Sequence, residues 1–318
     1  MSALLGAAFL AAPAYATTIE YVRPVDAAPK PADIGKGYIT PVVQRPQPRA
    51  PWHEWADLAA YAGVIGLTAW LVHTRRRRLA LMFVSAASVA YFGFYRQGCV
   101  CPIGSIQNVA LALVDRHYTV PLTVVLLFTV PLIAAVLWGR VFCGGACPLG
   151  AIQELLLLRP VTVPRRLDWA LGWLKWVYLG LALWFVLRPA AARDFIICRF
   201  DPFIGLYRFS GPTYMLLIGG GLLLLGLFVG RPYCRYFCPY GALLGLASRV
   251  AWRRVQITPD KELDCGLCTA ACPYGAIEQM RAVPSACVAC ARCFESCPRE
   301  RVRTTGGAAP APTAAPTT

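Results

Sequence analysis

Charge is scarce in this chain. Of its 318 residues only 15% are charged and 57% are hydrophobic, whereas a soluble domain carries about a quarter charged residues. Acid is scarcer than base: 16 Asp and Glu stand against 31 Lys and Arg. Histidine is down to three, His53, His73 and His117. None forms a helical pair, which leaves b-type haem ligation without support. His53, beside Trp52 and Trp55, reads as a residue of a membrane boundary. In a soluble protein the basic excess would suggest nucleic acid. Here the arginines cluster between apolar runs, the pattern of cytoplasmic loops in a membrane protein, so no nucleic-acid partner is expected and membrane lipid is.

What is present is apolar sequence in stretches near the length a bilayer requires, about 20 residues. Five spans are expected: Leu58–Val72, Leu79–Tyr95, Thr119–Trp138, Leu167–Leu187 and Pro212–Val229. Ile103–Val114 is too short to cross and reads as an interfacial or re-entrant helix. Residues 1–16 end in Ala14-Tyr15-Ala16 and read as a signal peptide lacking a basic start. Residues 17–55 read as an extended periplasmic linker, 56–250 as the membrane domain, 255–303 as a small separate module and 304–318 as a disordered tail. The run Arg75–Arg78 fixes the orientation, with the N-terminus outside and the module in the cytoplasm of an inner-membrane, multi-pass protein. Arg188, Arg193, Arg199 and Arg208 fall on the outer side against that rule. Lys175 lies inside the fourth span, where it either faces the bundle interior or snorkels to the nearby edge.

Cysteine is abundant, with 14 residues. Cys287-x2-Cys290-x2-Cys293-x3-Cys297-Pro298 has the spacing of an iron–sulfur run, in which three thiolates reach one cluster and the fourth reaches its partner. Cys265-x2-Cys268-x3-Cys272-Pro273 precedes it. The reading assigns Cys272, Cys287, Cys290 and Cys293 to one 4Fe–4S cluster, and Cys265, Cys268 and Cys297 to a second. Zinc sites space two pairs far apart and lack the triple with Cys-Pro. The second set lacks a cysteine at Glu262. Either Glu262 or Asp264 supplies an oxygen ligand, or the site holds a 3Fe–4S cluster, or a cysteine from the membrane part completes it, or only the first cluster forms.

The motif Cys-Pro-x-Gly recurs at Cys101-Pro102, Cys147-Pro148, Cys238-Pro239 and Cys272-Pro273. Proline suits the first helical position, and the cysteine before it sits where free N–H groups favour a thiolate. Each motif is therefore expected to start a helix. Cys143, Cys147, Cys234 and Cys238 share the cytoplasmic side, and as two C-x3-C pairs they could bind a further cluster or metal. Cys99, Cys101 and Cys198, with Asp201 nearby, would make a site on the periplasmic side, or a disulfide. Buried structural thiols are the plain alternative for both groups.

Spans, two C-x3-C-Pro motifs and the Cys265–Cys297 array together resemble the NosR/NapH family of membrane iron–sulfur proteins, over roughly residues 58–298. The resemblance implies an all-α membrane protein with a C-terminal bacterial ferredoxin-like module of small α+β fold. It implies electron transfer between cytoplasmic or quinone-side donors and a periplasmic redox partner, with any flavin on a separate protein, because only the short 17–55 linker stands where NosR carries a flavin-binding domain. No general base, nucleophile or phosphate loop is present, so no catalytic residue is assigned and an electron-transfer subunit is expected rather than a stand-alone enzyme. A redox-sensing or maturation factor, relaying thiols to a periplasmic metalloenzyme, is the competing reading.

Overall fold

The computed structural model describes residues 50–98, 102–189, 193–197, 201–210, 212–257, 265–279 and 281–298. The expected signal peptide, the tail 304–318, Cys99, Cys101, Cys198, Glu262 and Asp264 lie outside them.

The described chain is almost entirely helical. Helix α1 (Pro51–Trp70) starts on a proline at its first turn and runs on as a π-helical turn, Leu71–Arg75. Residues 51–55, expected in the linker, are thus helical. Arg76 at φ 54° ends this unit, and α2 (Arg78–Ser88) with its π extension Val89–Tyr95 runs back. Then come α3 (Pro102–Val114), α4 (Leu122–Trp138), α5 (Pro148–Leu156), α6 (Arg165–Gly172) and α7 (Leu174–Val186). The bundle ends with α8 (Pro202–Arg208), α9 (Thr213–Gly226) and α10 (Pro239–Ala247). The module is small: α11 (Leu267–Ala270), an antiparallel β1 (Ile277–Glu278) and β2 (Arg281–Ala282) with Ile277 opposite Ala282, and α12 (Arg292–Ser296).

By length and apolarity, three described helical stretches can cross a membrane: Trp52–Arg75, Arg78–Tyr95 and Arg165–Val186. A fourth is counted if α8 and α9, bent by 98°, form one broken span. The expected span 119–138 is helical only over Leu122–Trp138, 17 residues, at the low end of what a bilayer accepts. The short Pro102–Val114 is one helix, as expected of a piece too short to cross.

An aromatic chain fills the centre. Tyr61 of α1 lies between Phe92 and Phe142, at 5.7 and 5.5 Å, and Tyr240 of α10 meets Phe142 edge-on at 6.1 Å. Such pairs add about 0.5–1.5 kcal/mol each beyond area burial.

The module is held by one buried carboxylate. Glu154, in the last turn of α5, is 5% exposed. It pairs with Arg231 Nε at 3.1 Å and Arg292 Nε at 2.9 Å, lies 3.7 Å from Arg78, and accepts from the Tyr274 hydroxyl. Arg292 and Tyr274 belong to the module; Arg78 and Arg231 belong to the bundle. Around this hub Arg140 donates to Ser285 O at 3.0 Å, Ser248 to Pro284 O at 3.0 Å and Arg235 to Pro273 O at 3.1 Å. The Arg76 guanidinium lies 5.2 Å above the Phe294 ring. Arg76 and Arg78 of the arginine run therefore lie beside the module.

Burial pushes the Glu154 carboxyl up, but Arg231 and Arg292, helped by Tyr274, outweigh it and hold it below the ordinary carboxylate value. A carboxyl with a depressed folded value stabilises the fold fully above its unfolded value, about 4.3, and loses that contribution as pH falls through the folded one. Replacing Glu154 with Leu leaves buried guanidiniums without a counter-charge, and should cost about 3–5 kcal/mol at neutral pH. Thermal unfolding in detergent checks this. The gap to wild type should close only in acid, below the usual carboxylate range.

Candidate metal centre

The two C-x3-C segments fold alike. Phe142–Ala146 and Tyr233–Phe237 are single π-helical turns, each ended by an extended cysteine, Cys147 or Cys238, followed by proline at the first position of the next helix. π turns inside helical proteins concentrate at functional sites. The Cys238 sulfur accepts the Gly241 N–H at 3.2 Å, so it caps α10 as the motif predicts. Helix α3 likewise opens on Pro102. The fourth motif departs from the expectation. After Cys272-Pro273 the chain makes a turn, Gly275 takes φ +58°, and β1 follows instead of a helix. The positive φ, open to glycine at no steric cost, redirects the chain.

The structure brings the two π turns together. Cys143 is close enough to Cys234 to raise its pKa. Gln153 Nε2 donates to the Cys234 sulfur at 3.6 Å, and its Oε1 accepts the Tyr233 N–H at 3.1 Å. Arg140 Nη2 lies 3.8 Å from the Cys143 sulfur. Arg231 donates to the carbonyl of Cys143 and reaches that of Gly144 at 3.5 Å. A Cβ on Gly150 would stand 3.0 Å from the Arg231 guanidinium, and one on Gly241 3.3 Å from that of Arg140. Each repeat thus sends its arginine across to the glycine of the other. Sequence reasoning missed Arg140, Arg231, Gln153 and Glu154. The signal was available for the arginines: each stands three residues before the first cysteine of its pair, after a glycine.

In the module Cys272, Cys287, Cys290 and Cys293 line one cavity with Tyr274 and Arg292. These are the residues assigned to one cluster from spacing alone. Cys268 is near enough to Cys293 to affect its ionisation, and packs with Cys272 and Cys293 around Ile257 and Ile277. Cys265 is exposed and Cys297 half-buried. All eleven described cysteines are unbridged.

Among the described residues no three His, Cys, Asp or Glu side chains converge as they would on a single metal ion. A polynuclear cluster is wider than one ion. Four soft thiolates around a common cavity therefore fit a cluster better than mononuclear zinc. Burial raises the Cys290 thiol to about 12 and Cys234 and Cys287 each to about 11. Loading with metal must then expel protons, because only thiolates ligate.

The segments that carry the two cysteine groups meet through their backbones. A Cβ on Gly144 would come within 2.9 Å of Ala289 O and 3.0 Å of Val288 O. Gly144 follows Cys143, and Val288-Ala289 lies between Cys287 and Cys290. Arg231 is within electrostatic reach of both Cys234 and Cys290.

Four cysteines around one cavity, with two further C-x3-C pairs ahead of helix starts, suit iron–sulfur chemistry. The comparisons agree. A family described as "4Fe-4S binding domain" matches residues 120–166 and 212–258, which hold the two C-x3-C pairs. The chain is 27% identical over 285 residues to the "Putative electron transport protein YccM" of Escherichia coli, covering 79% of this chain and 76% of that protein. It is 31% identical over 212 residues to the "Regulatory protein NosR" of Pseudomonas aeruginosa, covering 60% of this chain and 29% of NosR. It is 25% identical over 223 residues to the "Ferredoxin-type protein NapH" of Haemophilus influenzae, covering 62% and 72%. No solved structure matches. The chain belongs to the NosR/NapH-like family of 4Fe–4S ferredoxin-type proteins. It spans less than a third of NosR.

In metal-free protein at pH 8, burial keeps Cys234 a neutral thiol. Iodoacetamide should therefore label the exposed Cys265 readily and leave Cys234 unlabelled until the protein is unfolded, as peptide mass mapping would show.

Proposed function

We propose that this chain is an integral membrane iron–sulfur electron-transfer protein in which a C-terminal ferredoxin-like module and the cysteines at the membrane edge act as consecutive redox sites. In this reading Cys272, Cys287, Cys290 and Cys293 hold one 4Fe–4S cluster. Cys265, Cys268 and Cys297 hold the second, with its fourth ligand at or near Glu262. Cys143, Cys147, Cys234 and Cys238 hold a further centre at the inner edge, and Cys99, Cys101 and Cys198 one at the outer edge. The N-terminus is periplasmic and the module cytoplasmic, in the inner membrane. Electrons pass between cytoplasmic or quinone-side donors and a periplasmic partner, with any flavin on that partner.

The observation that carries this reading is the backbone contact of Gly144 with Val288 and Ala289. It brings the chain beside Cys143 against the chain between Cys287 and Cys290 without an intervening side chain. A bound cluster would supply one-electron chemistry. The protein's own part is to bury the thiolates, to place Arg140 and Arg231 where they offset the added negative charge, and to keep the two sites adjacent. The competing reading, a thiol relay for a periplasmic metalloenzyme, needs an accessible dithiol. Cys143, Cys147, Cys234 and Cys238 are all buried, which counts against it.

Iron and acid-labile sulfide per protein decide between the two. The comparison is anaerobically purified wild type against a variant with Cys143, Cys147, Cys234 and Cys238 all changed to Ser. The module alone can account for about eight irons. Wild type should exceed that figure and the variant should fall back to it. Equal iron at or below it would leave the edge cysteines as thiols and favour the relay. Gly144→Val, which drives a side chain into backbone, should leave the iron count near wild type while slowing re-oxidation of the dithionite-reduced protein by at least about tenfold, followed by stopped-flow absorbance.

A further inference from the structure

A second cavity, of about 220 Å³, opens at the seam between bundle and module and is lined by five cations, Arg140, Lys175, Arg231, Arg235 and Arg249, against one carboxylate, Asp168. Most of a cavity's charge is ordinarily matched inside the fold, and here the matching stops short. Arg231 is spent on Glu154. Arg235 Nε takes Asp168 Oδ1 at 2.7 Å, and Asp168 also accepts from the Tyr236 hydroxyl at 2.9 Å, so the single carboxylate is used up. Arg140 is 6% exposed and spends its two terminal nitrogens on Ser285 O and Cys143 Sγ. Its Nε is buried without a hydrogen-bond partner among the described residues. Lys175 and Arg249 have no ion pair among the described residues.

These groups converge from separate elements. Arg140 precedes the first π turn, Lys175 lies in the first turn of α7, and Arg249 lies in the short 3-10 turn Ser248–Val250 after α10. The module closes the cavity with Ser285, Ala286 and Val288. Trp176 and Leu246 are among the lining residues, and Trp169 in the adjoining helix α6 and Trp173 in the turn before α7 are 70% and 55% exposed. Tryptophan in that setting marks the level of lipid headgroups.

We infer that this cavity binds a phosphate group, held by Lys175, Arg249 and the free Nε–H of Arg140. Lys175 and Arg249, neither of them ion-paired among the described residues, with the unpartnered Nε–H of Arg140 suit a small multivalent oxyanion, for which lysine acts as a point charge and arginine as a directed donor. The volume exceeds that of several waters, each taking about 30 Å³ of liquid, and so admits a phosphate with its ester carbons. The same chemistry is presented by an anionic phospholipid headgroup entering past the tryptophans and by a soluble phosphate entering from the module side. The site goes beyond the electron-transfer reading and does not depend on it.

The test uses full-length protein purified anaerobically in detergent from native membranes and washed. Phosphorus per protein is measured before and after organic extraction, beside iron per protein and thermal unfolding. Wild type should retain about one phosphorus per chain, the Lys175→Gln/Arg249→Gln double variant about tenfold less, and Lys175→Arg a wild-type amount. Unchanged iron and unfolding in the double variant separate loss of the ligand from loss of the fold. Phosphorus that extracts into solvent assigns the occupant as phospholipid; phosphorus that stays aqueous assigns a soluble phosphate. Equal phosphorus in wild type and double variant, whether zero in both or not, overturns the site.

Discussion

Glu154 is the constraint on which the remaining geometry depends. A carboxylate taken out of water costs several kcal/mol and is tolerated only among well-placed partners. Its partners come from widely separated segments: Arg78 at the head of α2, Arg231 before the second π turn, and Arg292 with Tyr274 in the module. None of these buried groups is well accommodated without the others. The pairing therefore does more than tie the module to the bundle. It fixes which face of the module is presented. Arg231, anchored on Glu154, continues onto the carbonyl of Cys143 and so sets the distance between the cysteines of the bundle and those of the module.

The bundle is an imperfect repeat, and its imperfection is informative. Both halves carry Gly-Arg-x-aromatic-Cys-x3-Cys-Pro-x-Gly-Ala, at 139–151 and 230–242. Both use the arginine to fill the space left by the other half's glycine. Beyond that point they diverge. The first half continues with Gln153 and Glu154, the second with Leu244 and Gly245. Gln153 steadies the facing π turn and Glu154 recruits the module. Gly245 leaves room for the module's Ser285 carbonyl, which an added Cβ would meet at 3.3 Å. A symmetric pair would offer no single side for the module to dock. The same asymmetry opens the cationic cavity, because Lys175 and Arg249 have no carboxylate facing them comparable to Glu154.

Much of this was legible in the sequence. That Cys272, Cys287, Cys290 and Cys293 gather at one cavity could be expected from their spacing, because closely spaced cysteines are brought together locally. The helix starts at Pro102, Pro148 and Pro239 could be read from the proline itself. The start at Pro273 could not, since the short link to β1 leaves no room for a helix and Gly275 takes a left-handed conformation. The span at 119–138 looked longer than its helix because hydropathy does not register where hydrogen bonding begins. The Glu154 hub was invisible for a different reason. Its partners stand 76, 77, 120 and 138 residues away, and nothing in a lone glutamate after Ala-Ile-Gln announces which arginines will find it. Lys175 was marked as a charge within an apolar run, but its neighbours Arg140 and Arg249 become neighbours only on folding.

The central claim is that two sets of cysteines, far apart in sequence, form redox centres in contact across Gly144 and Arg231. Low-temperature EPR of the fully reduced, anaerobically purified protein tests it most directly, by the magnetic coupling between paramagnetic centres. Adjacent clusters should give a broadened, fast-relaxing signal whose splitting collapses when Cys143, Cys147, Cys234 and Cys238 are changed to Ser, leaving the spectrum of the module alone. A wild-type spectrum identical to that of the variant would contradict the account, because the bundle cysteines would then hold no centre within reach of the module.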